Sequence, residues 1–200
     1  TKIPVLITIP RYAPNLGELL KIRYSFDKAA DYAKNADTTI PDASVGIERL
    51  VNSYKRSRLY KFHRYFDSVN HDPHDRWQST YDRFDTSKLP PCVAHCVHEP
   101  NPNILRPTNL QSLTRVLIKT GWHPKHIAGL VRSKLERDYN WGGQWFKYDA
   151  ATRSNFYVRI FSGLLAAGVD REDDLNCFSH GEKGYCWKTH CGFNLADYKK

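Results

Sequence analysis

The cysteines are the residues of this sequence whose types and spacing are best suited to chemistry. The chain of 200 residues has five of them, and all five follow residue 91. Cys177, Cys186 and Cys191 lie in one Gly-bearing segment with a C-x8-C-x4-C spacing. Thiolates are soft ligands, so three in one loop can wrap a metal centre, with Cys92 or Cys96 as the fourth ligand. An odd number of cysteines without a recognisable secretion signal favours a metal site over a disulfide framework.

Zinc is one metal that the residue types leave open, because tetrahedral zinc needs only four Cys or His ligands. The mixed Cys/His set available near the C-terminus is Cys186, Cys191, His180 and His190. A CCCH zinc finger would have a histidine three residues after the last cysteine, whereas positions 192–194 hold Gly, Phe and Asn. The sequence therefore predicts a metal centre without deciding which metal it holds.

From residue 89 onward, several features follow one another in an order that is informative as a set. They are Leu89-Pro90-Pro91-Cys92, then Leu105-Arg106, a predicted helix at 113–121 with a second helix after it, the segment 155–163, and the cysteine-bearing residues 177–191. In this order and spacing, residues 89 to about 198 resemble the C-terminal domain of the large subunit of archaeal and eukaryotic DNA primase.

The resemblance implies a mainly helical domain that holds a [4Fe–4S] cluster in a structural role. It implies Cys92, Cys177, Cys186 and Cys191 as the cluster ligands and leaves Cys96 spare. It also implies binding to single-stranded DNA or a template–primer junction, next to a catalytic primase subunit or domain. On this interpretation the module takes part in primer synthesis during DNA replication but is not itself catalytic.

The charge of the chain supports a polyanionic partner. There are 30 Lys and Arg residues against 21 Asp and Glu, which gives a net charge of +9. Cations can follow phosphates while aromatic rings stack on unpaired bases. The candidate nucleic-acid-binding residues on or beside the two central helices are Arg106, Arg115, Lys119, Trp122, Lys125, His126 and Arg132. Further candidate stacking groups are Trp141, Trp145 and Tyr148.

Catalytic patterns are sparse. The tract His71-Asp72-Pro73-His74-Asp75 carries His and Asp, which metal-dependent nucleases use as ligands, so a nuclease is a third alternative. A polar surface loop is the preferred interpretation of that tract, because nuclease ligands come from several separated elements. The sequence has no P-loop, no G-x-S-x-G elbow and no G-x-G-x-x-G after a strand.

The elements that must position these residues are predicted to be mainly α-helical. Residues 1–88 form a smaller, mixed but mostly helical N-terminal region of unknown role, with a strand at 5–9 and helical stretches at 16–22, 26–36 and 42–64. Residues 89–200 form a helical C-terminal domain organised around the cysteine-ligated cluster. No apolar run approaches the roughly 20 residues of a membrane span, so an intracellular protein without membrane contact is expected.

Overall fold

Helices dominate the part of the chain that can be described. The computed structural model describes residues 16–35, 42–98, 104, 106–137 and 149–199. Within these ranges the regular elements are helices and no strand occurs, which confirms the predicted mainly α fold. The predicted strand at 5–9 and the aromatic residues Trp141, Trp145 and Tyr148 lie outside the described residues. None of the helices described is long and apolar enough to cross a membrane.

The chain divides into two compact units, Thr1–Arg49 and Leu50–Lys200. The boundary therefore lies earlier than the predicted one between residues 88 and 89. The physical reason is burial of large aromatic side chains from the intervening stretch. Those that belong to the hydrophobic core of the second unit are Phe62, Phe66, Trp77 and Tyr81. Residues 50–88 thus fold with the C-terminal region rather than with the N-terminus.

The first unit contains two short helices that pack against one another, α1 (Leu16–Arg23) and α2 (Phe26–Asn35). Their bounds confirm the helices predicted at 16–22 and 26–36. In α2, Asp27 lies in the first turn and Lys34 in the last, so both charges complement the helix dipole. The division between the units falls within α3 (Ser44–Arg56).

The stretch 42–64, predicted as one helical segment, is divided into two helices at Ser57. This residue has an extended backbone and is the N-cap of α4 (Arg58–Phe66), where its Oγ accepts a hydrogen bond from the Tyr60 N–H at 3.1 Å. The same hydroxyl donates to the Tyr54 carbonyl at 2.7 Å. Serine favours such local bonds at the expense of a continuous helix, so the chain changes direction here.

Among its described residues, the second unit continues with three short 3-10 turns and five α-helices. The turns are His74–Arg76, Tyr81–Arg83 and Thr86–Lys88. The helices are α5 (Pro91–His98), α6 (Pro107–Lys119), α7 (Pro124–Leu135), α8 (Ala150–Ala167) and α9 (Cys177–Glu182), and a 3-10 turn at Leu195–Tyr198 follows them. Three of these helices begin with proline, whose missing N–H would have no partner in a first turn.

The core of the second unit is built from α6, α7 and α8. Apolar side chains of α6 and α7 recur at helical spacing and are completely buried: Leu110, Leu113, Val116, Leu117, Ile127, Leu130 and Val131. The long helix α8 packs on both, α4 packs on α8, and α5 packs on α6. The 3-10 turn at Leu195–Tyr198 also contacts α6. The core therefore anchors the two parts of the chain that carry the cysteines, α5 and the C-terminal segment.

Candidate metal centre

Four cysteines from distant parts of the second unit line one small cavity of about 20 Å³. Cys92 comes from the first turn of α5 and Cys177 opens α9, whereas Cys186 and Cys191 follow α9 in the chain. The structure thus brings together all four residues that the resemblance implied as ligands. Within the described ranges, however, no group of three or more Cys, His, Asp or Glu side chains is arranged so that it could hold a metal ion. The thiols share a cavity without forming a closed coordination sphere.

Local backbone structure turns the C-terminal segment around this cavity. The Asn176 side chain caps α9 by accepting a hydrogen bond from the Ser179 N–H at 2.7 Å. After α9, the N–H groups of Tyr185 and Cys186 both donate to the His180 carbonyl, at 2.8 and 3.2 Å. On either side of Cys191 the backbone is left-handed, with φ of 55° at residue 190 and 80° at residue 192. These turns direct cysteines that are far apart in sequence toward a common point.

The thiols are close enough to influence one another electrostatically. Burial, together with the neighbouring Cys186, Cys177 and Cys191, raises the pKa of Cys92 to about 11. Several thiolates near each other repel, and a metal cation among them would remove that penalty. The backbone N–H of Leu195 donates to the Cys177 sulfur at 3.5 Å, a bond of the kind that stabilises a thiolate ligand. This donor set suits a metal that prefers sulfur.

Cys96 lies apart from the cavity. Its side chain is 2% exposed, and its thiol donates to the Val93 carbonyl at 3.0 Å. Burial raises the pKa of Cys96 to about 12. A thiol that is buried, protonated and already hydrogen-bonded is a core residue rather than a ligand.

The two histidines of the mixed zinc set occupy different environments. His180 is buried and lines the cavity, but its Nε2 lies 3.3 Å from the Ser112 hydroxyl and its Nδ1 lies 3.2 Å from the Asn176 carbonyl. Burial lowers the pKa of His180, which favours the neutral ring. His190 is exposed. Because both ring nitrogens of His180 have other partners, this residue ties α9 to α6 and is a poor candidate ligand.

Arg115 does not belong to the predicted basic surface. Its side chain is 3% exposed and forms ion pairs with two carboxylates. Its Nε donates to Asp170 Oδ2 at 3.0 Å and its Nη1 donates to Asp174 Oδ1 at 2.8 Å. Arg115, a candidate nucleic-acid-binding residue by sequence, is therefore turned away from solvent, because this position of α6 faces the loop before α9. Its charge is neutralised inside the protein.

Lys125 and His126 of α7 are half-buried against residues 66–81. Lys125 Nζ lies 3.6 Å from Asp67 Oδ1 and 4.8 Å from the centre of the Phe66 ring. His126 Nδ1 lies 3.2 Å from the Tyr81 hydroxyl. Both residues therefore attach α7 to residues 66–81, and neither is fully available to a phosphate.

Arg132 and Trp122 also have internal partners. The Arg132 guanidinium pairs with Glu136 of its own helix and lies over the Trp77 ring. Trp122 packs against the core with its ring edge-on to Phe84. Of the seven predicted nucleic-acid-binding residues, the two that the structure leaves exposed are Arg106 and Lys119, at the beginning and the end of α6.

The tract 71–75, considered as a nuclease motif, packs against α7. His74 Nε2 contacts the Glu136 carboxylate, and His71 Nε2 lies 3.3 Å from Arg132 Nη1. The Asp72 carbonyl accepts a hydrogen bond from the Trp77 indole at 2.9 Å. These contacts give the tract a role in attaching the chain to α7, and the preferred interpretation as a polar surface loop accounts for them.

Sequence reasoning missed two aromatic residues beside the cysteine-lined cavity. His95 and Trp187 stack in parallel, with ring centroids 3.6 Å apart and an interplanar angle of 12°. His95 follows Cys92 by three residues on α5, and Trp187 directly follows Cys186. Their adjacency to predicted ligands was the available signal, because segments joined at a common site also bring their neighbouring residues together.

Comparison with known proteins does not assign this chain to a family. No protein-family model, no curated protein and no solved structure matches the chain. The resemblance to the primase large-subunit domain therefore stays a prediction. The evidence for the candidate site is the arrangement of its own residues.

Proposed function

We propose that the C-terminal part of this chain is a nucleic-acid-binding accessory module of a primase-like replication protein, stabilised by a [4Fe–4S] cluster. The ligands would be Cys92, Cys177, Cys186 and Cys191. The observation that supports this most is that these four cysteines, from α5 and from the C-terminal segment, line a single cavity while Cys96 is buried elsewhere.

The donor set fits an iron–sulfur cluster because [4Fe–4S] clusters are held by four cysteine thiolates. When bound, the cluster would link α5 to the C-terminal segment. The chain's own residues support that link: Asn176 caps α9, His180 joins α9 to α6, and Leu195 donates to the Cys177 sulfur. A structural zinc ion is the second candidate, because four cysteines are also a common zinc ligand set.

The nucleic-acid part of the proposal is supported by charge. A net charge of +9 attracts a polyanion at long range, and the exposed Arg106 and Lys119 are candidate phosphate contacts. The expected partner is single-stranded DNA or a template–primer junction. A separate catalytic primase subunit or domain would carry out nucleotide transfer.

Metal analysis tests the first half of the proposal. After anaerobic purification, we expect about four iron and about four sulfide per chain, with the brown colour of an iron–sulfur protein. Replacing Cys92 or Cys177 by Ser should abolish cluster incorporation, whereas Cys96→Ala, the matched control, should retain it. About one zinc per chain with no iron would move the assignment to the second candidate, and a metal-free, folded protein would overturn both.

A binding titration tests the second half. Fluorescence anisotropy with a labelled single-strand/duplex junction, compared with plain duplex, should show tighter binding to the junction and a steep loss of affinity with added salt. Arg106→Ala and Lys119→Ala should each lower the slope of log affinity against log salt by about 1. Arg171→Ala, an exposed arginine outside the proposed site, is the control. An affinity indifferent to salt would contradict phosphate-driven binding.

A further inference from the structure

A second, larger cavity lies beside the metal centre. Its volume is about 450 Å³, within the range of small-molecule sites. The lining residues include Thr86, Ser87, His95, His98, Trp187 and Lys188, which bear polar or aromatic groups. Cys191 and Lys188 line both cavities, so the wall between them is the cysteine-bearing segment itself.

The stacked pair of His95 and Trp187 forms an aromatic wall of this cavity. Although Trp187 stacks on His95, 64% of its surface remains exposed. An indole held flat by a stacking partner and open to solvent offers a π face to a planar ligand. An exposed tryptophan that does not pack in the core is suited to binding a ligand.

Beside apolar side chains such as Leu89 and Phe193, the lining carries polar and basic groups. Lys188 is exposed, directly follows Trp187 in sequence and lines the same cavity, so it supplies a positive charge there. Thr86 Oγ1 lies 3.0 Å from His98 Nδ1, so a hydroxyl and an imidazole are held together in the lining. A flat aromatic surface with an adjacent cation and hydrogen-bonding groups matches a ligand that joins a planar heterocycle to an anion.

We infer that this cavity binds a nucleotide that is not base-paired. Its base stacks on Trp187 and its phosphate is attracted to Lys188. The nucleotide can be a free one or one unit of a single strand, since both present the same base and phosphate. The choice of nucleic acid as a source rests on the proposed function.

Isothermal titration of the full chain, purified anaerobically as in the metal analysis, tests this inference with ATP, adenosine and a short single-stranded oligonucleotide as separate probes. Trp187→Ala should weaken ATP or oligonucleotide binding by about 5- to 150-fold, the effect of losing one stacked base. Trp187→Phe should recover most of the affinity. Lys188→Ala should bring ATP affinity down toward that of adenosine. Phe156→Ala, another exposed aromatic residue that does not line the cavity, is the control and should bind as the unaltered chain does.

The outcomes separate this inference from the proposed function. Trp187-dependent binding of ATP alone identifies a free nucleotide as the ligand, and Trp187-dependent binding of the oligonucleotide alone identifies a strand. If the chain contains no metal and ignores the junction but binds ATP through Trp187, the proposed function fails and the nucleotide site stands. If the chain holds its cluster and binds the junction while Trp187→Ala changes neither ATP nor oligonucleotide affinity, the nucleotide site is overturned. Circular dichroism of each variant checks that it has folded.

Discussion

The helical core of the second unit and its cysteine segment, residues 177–199, are stabilised in opposite ways. In α6 and α7 most of the large apolar side chains are completely buried, and burial of each contributes about 1.5–3 kcal/mol. In the cysteine segment the buried residues are His180 and Leu195, while Cys177, Cys186 and Trp187 are exposed. The core is therefore held by the hydrophobic effect, whereas the cysteine segment depends on a helix cap, a few hydrogen bonds and sulfur contacts. A bound metal would therefore stabilise the cysteine segment more than the core.

A buried ion pair joins the two regions. Arg115 of α6 pairs with Asp170, whose side chain is 5% exposed, and with Asp174, which is 43% exposed. Both carboxylates belong to the loop that leads from α8 to α9. Burial tends to raise the pKa of Asp170, but the hydrogen bonds from Arg115 outweigh it and hold this pKa below 3.8. The pair thus fixes the start of the cysteine segment on the core.

The largest effect is expected from breaking this ion pair. Asp170→Ala leaves the Arg115 charge buried with only its more exposed partner, so the free energy of unfolding should fall by about 3–5 kcal/mol. Asp174→Ala is the matched variant and should cost clearly less, because solvent reaches that carboxylate. Urea denaturation followed by circular dichroism measures both, and equal losses would show that burial does not decide the strength of the pair.

The pH dependence of the free energy of unfolding provides a second test of this ion pair. A carboxyl whose pKa is lowered in the folded state contributes stability that is fully present above its ordinary pKa of 3.8. That contribution is lost as the pH falls through the lower folded-state pKa. The acid-induced loss of stability should therefore be smaller in Asp170→Ala than in the unaltered chain. If the loss of stability at low pH were the same in Asp170→Ala as in the unaltered chain, other carboxyl groups would be responsible for it.

A core truncation tests whether burial alone holds α6. Leu113 is completely buried, so Leu113→Ala should reduce the free energy of unfolding by about 2–5 kcal/mol through lost transfer energy and a cavity. Phe156→Ala on α8 removes a larger but exposed ring and should change stability far less. Comparable losses at the two positions would mean that the exposed face of α8 is covered in solution.

Replacing glycine by alanine should change stability in opposite directions at two helical positions. A Cβ at Gly129 of α7 would lie 2.7 Å from the His71 Cβ and would also meet the Tyr81 ring. Gly129→Ala should therefore destabilise the core by about 1–3 kcal/mol. Nothing lies within 4 Å of a Cβ at Gly181 of α9, so Gly181→Ala should be neutral or stabilise by up to about 1 kcal/mol. Thermal unfolding of the two variants would show whether the crowded core and the open cysteine segment differ in this way.

The smallest effect on the core is expected from removing the proposed metal. Chelation, or Cys177→Ser, should accelerate amide hydrogen exchange in α9 and its following turn, including the N–H of Tyr185, while α6 and α7 keep their protection. Exchange followed by mass spectrometry measures the two regions in one experiment. Loss of protection in α6 to the same extent would show that the metal holds the entire unit together.

Local patterns predicted much of the fold. The two central helices and the helices at 16–22 and 26–36 could be read directly, because a helix depends on residues three and four positions apart. The break at Ser57 could not, because the hydrophobic spacing continues through it while the serine side chain competes for the backbone. The boundary between the units was also misplaced, since Phe62 and Phe66 look like ordinary helix residues until their burial is known.

The sequence by itself determined the chemistry that is available here: five cysteines without a full pairing, a large positive charge, and apolar periodicity that requires helices. Only the tertiary structure decided which of those residues meet. It gathered Cys92 with three C-terminal cysteines and buried Cys96. It also turned Arg115 inward to a pair of aspartates and stacked Trp187 on His95. Residue type and local spacing are properties of the chain, whereas burial and proximity arise from how the helices pack.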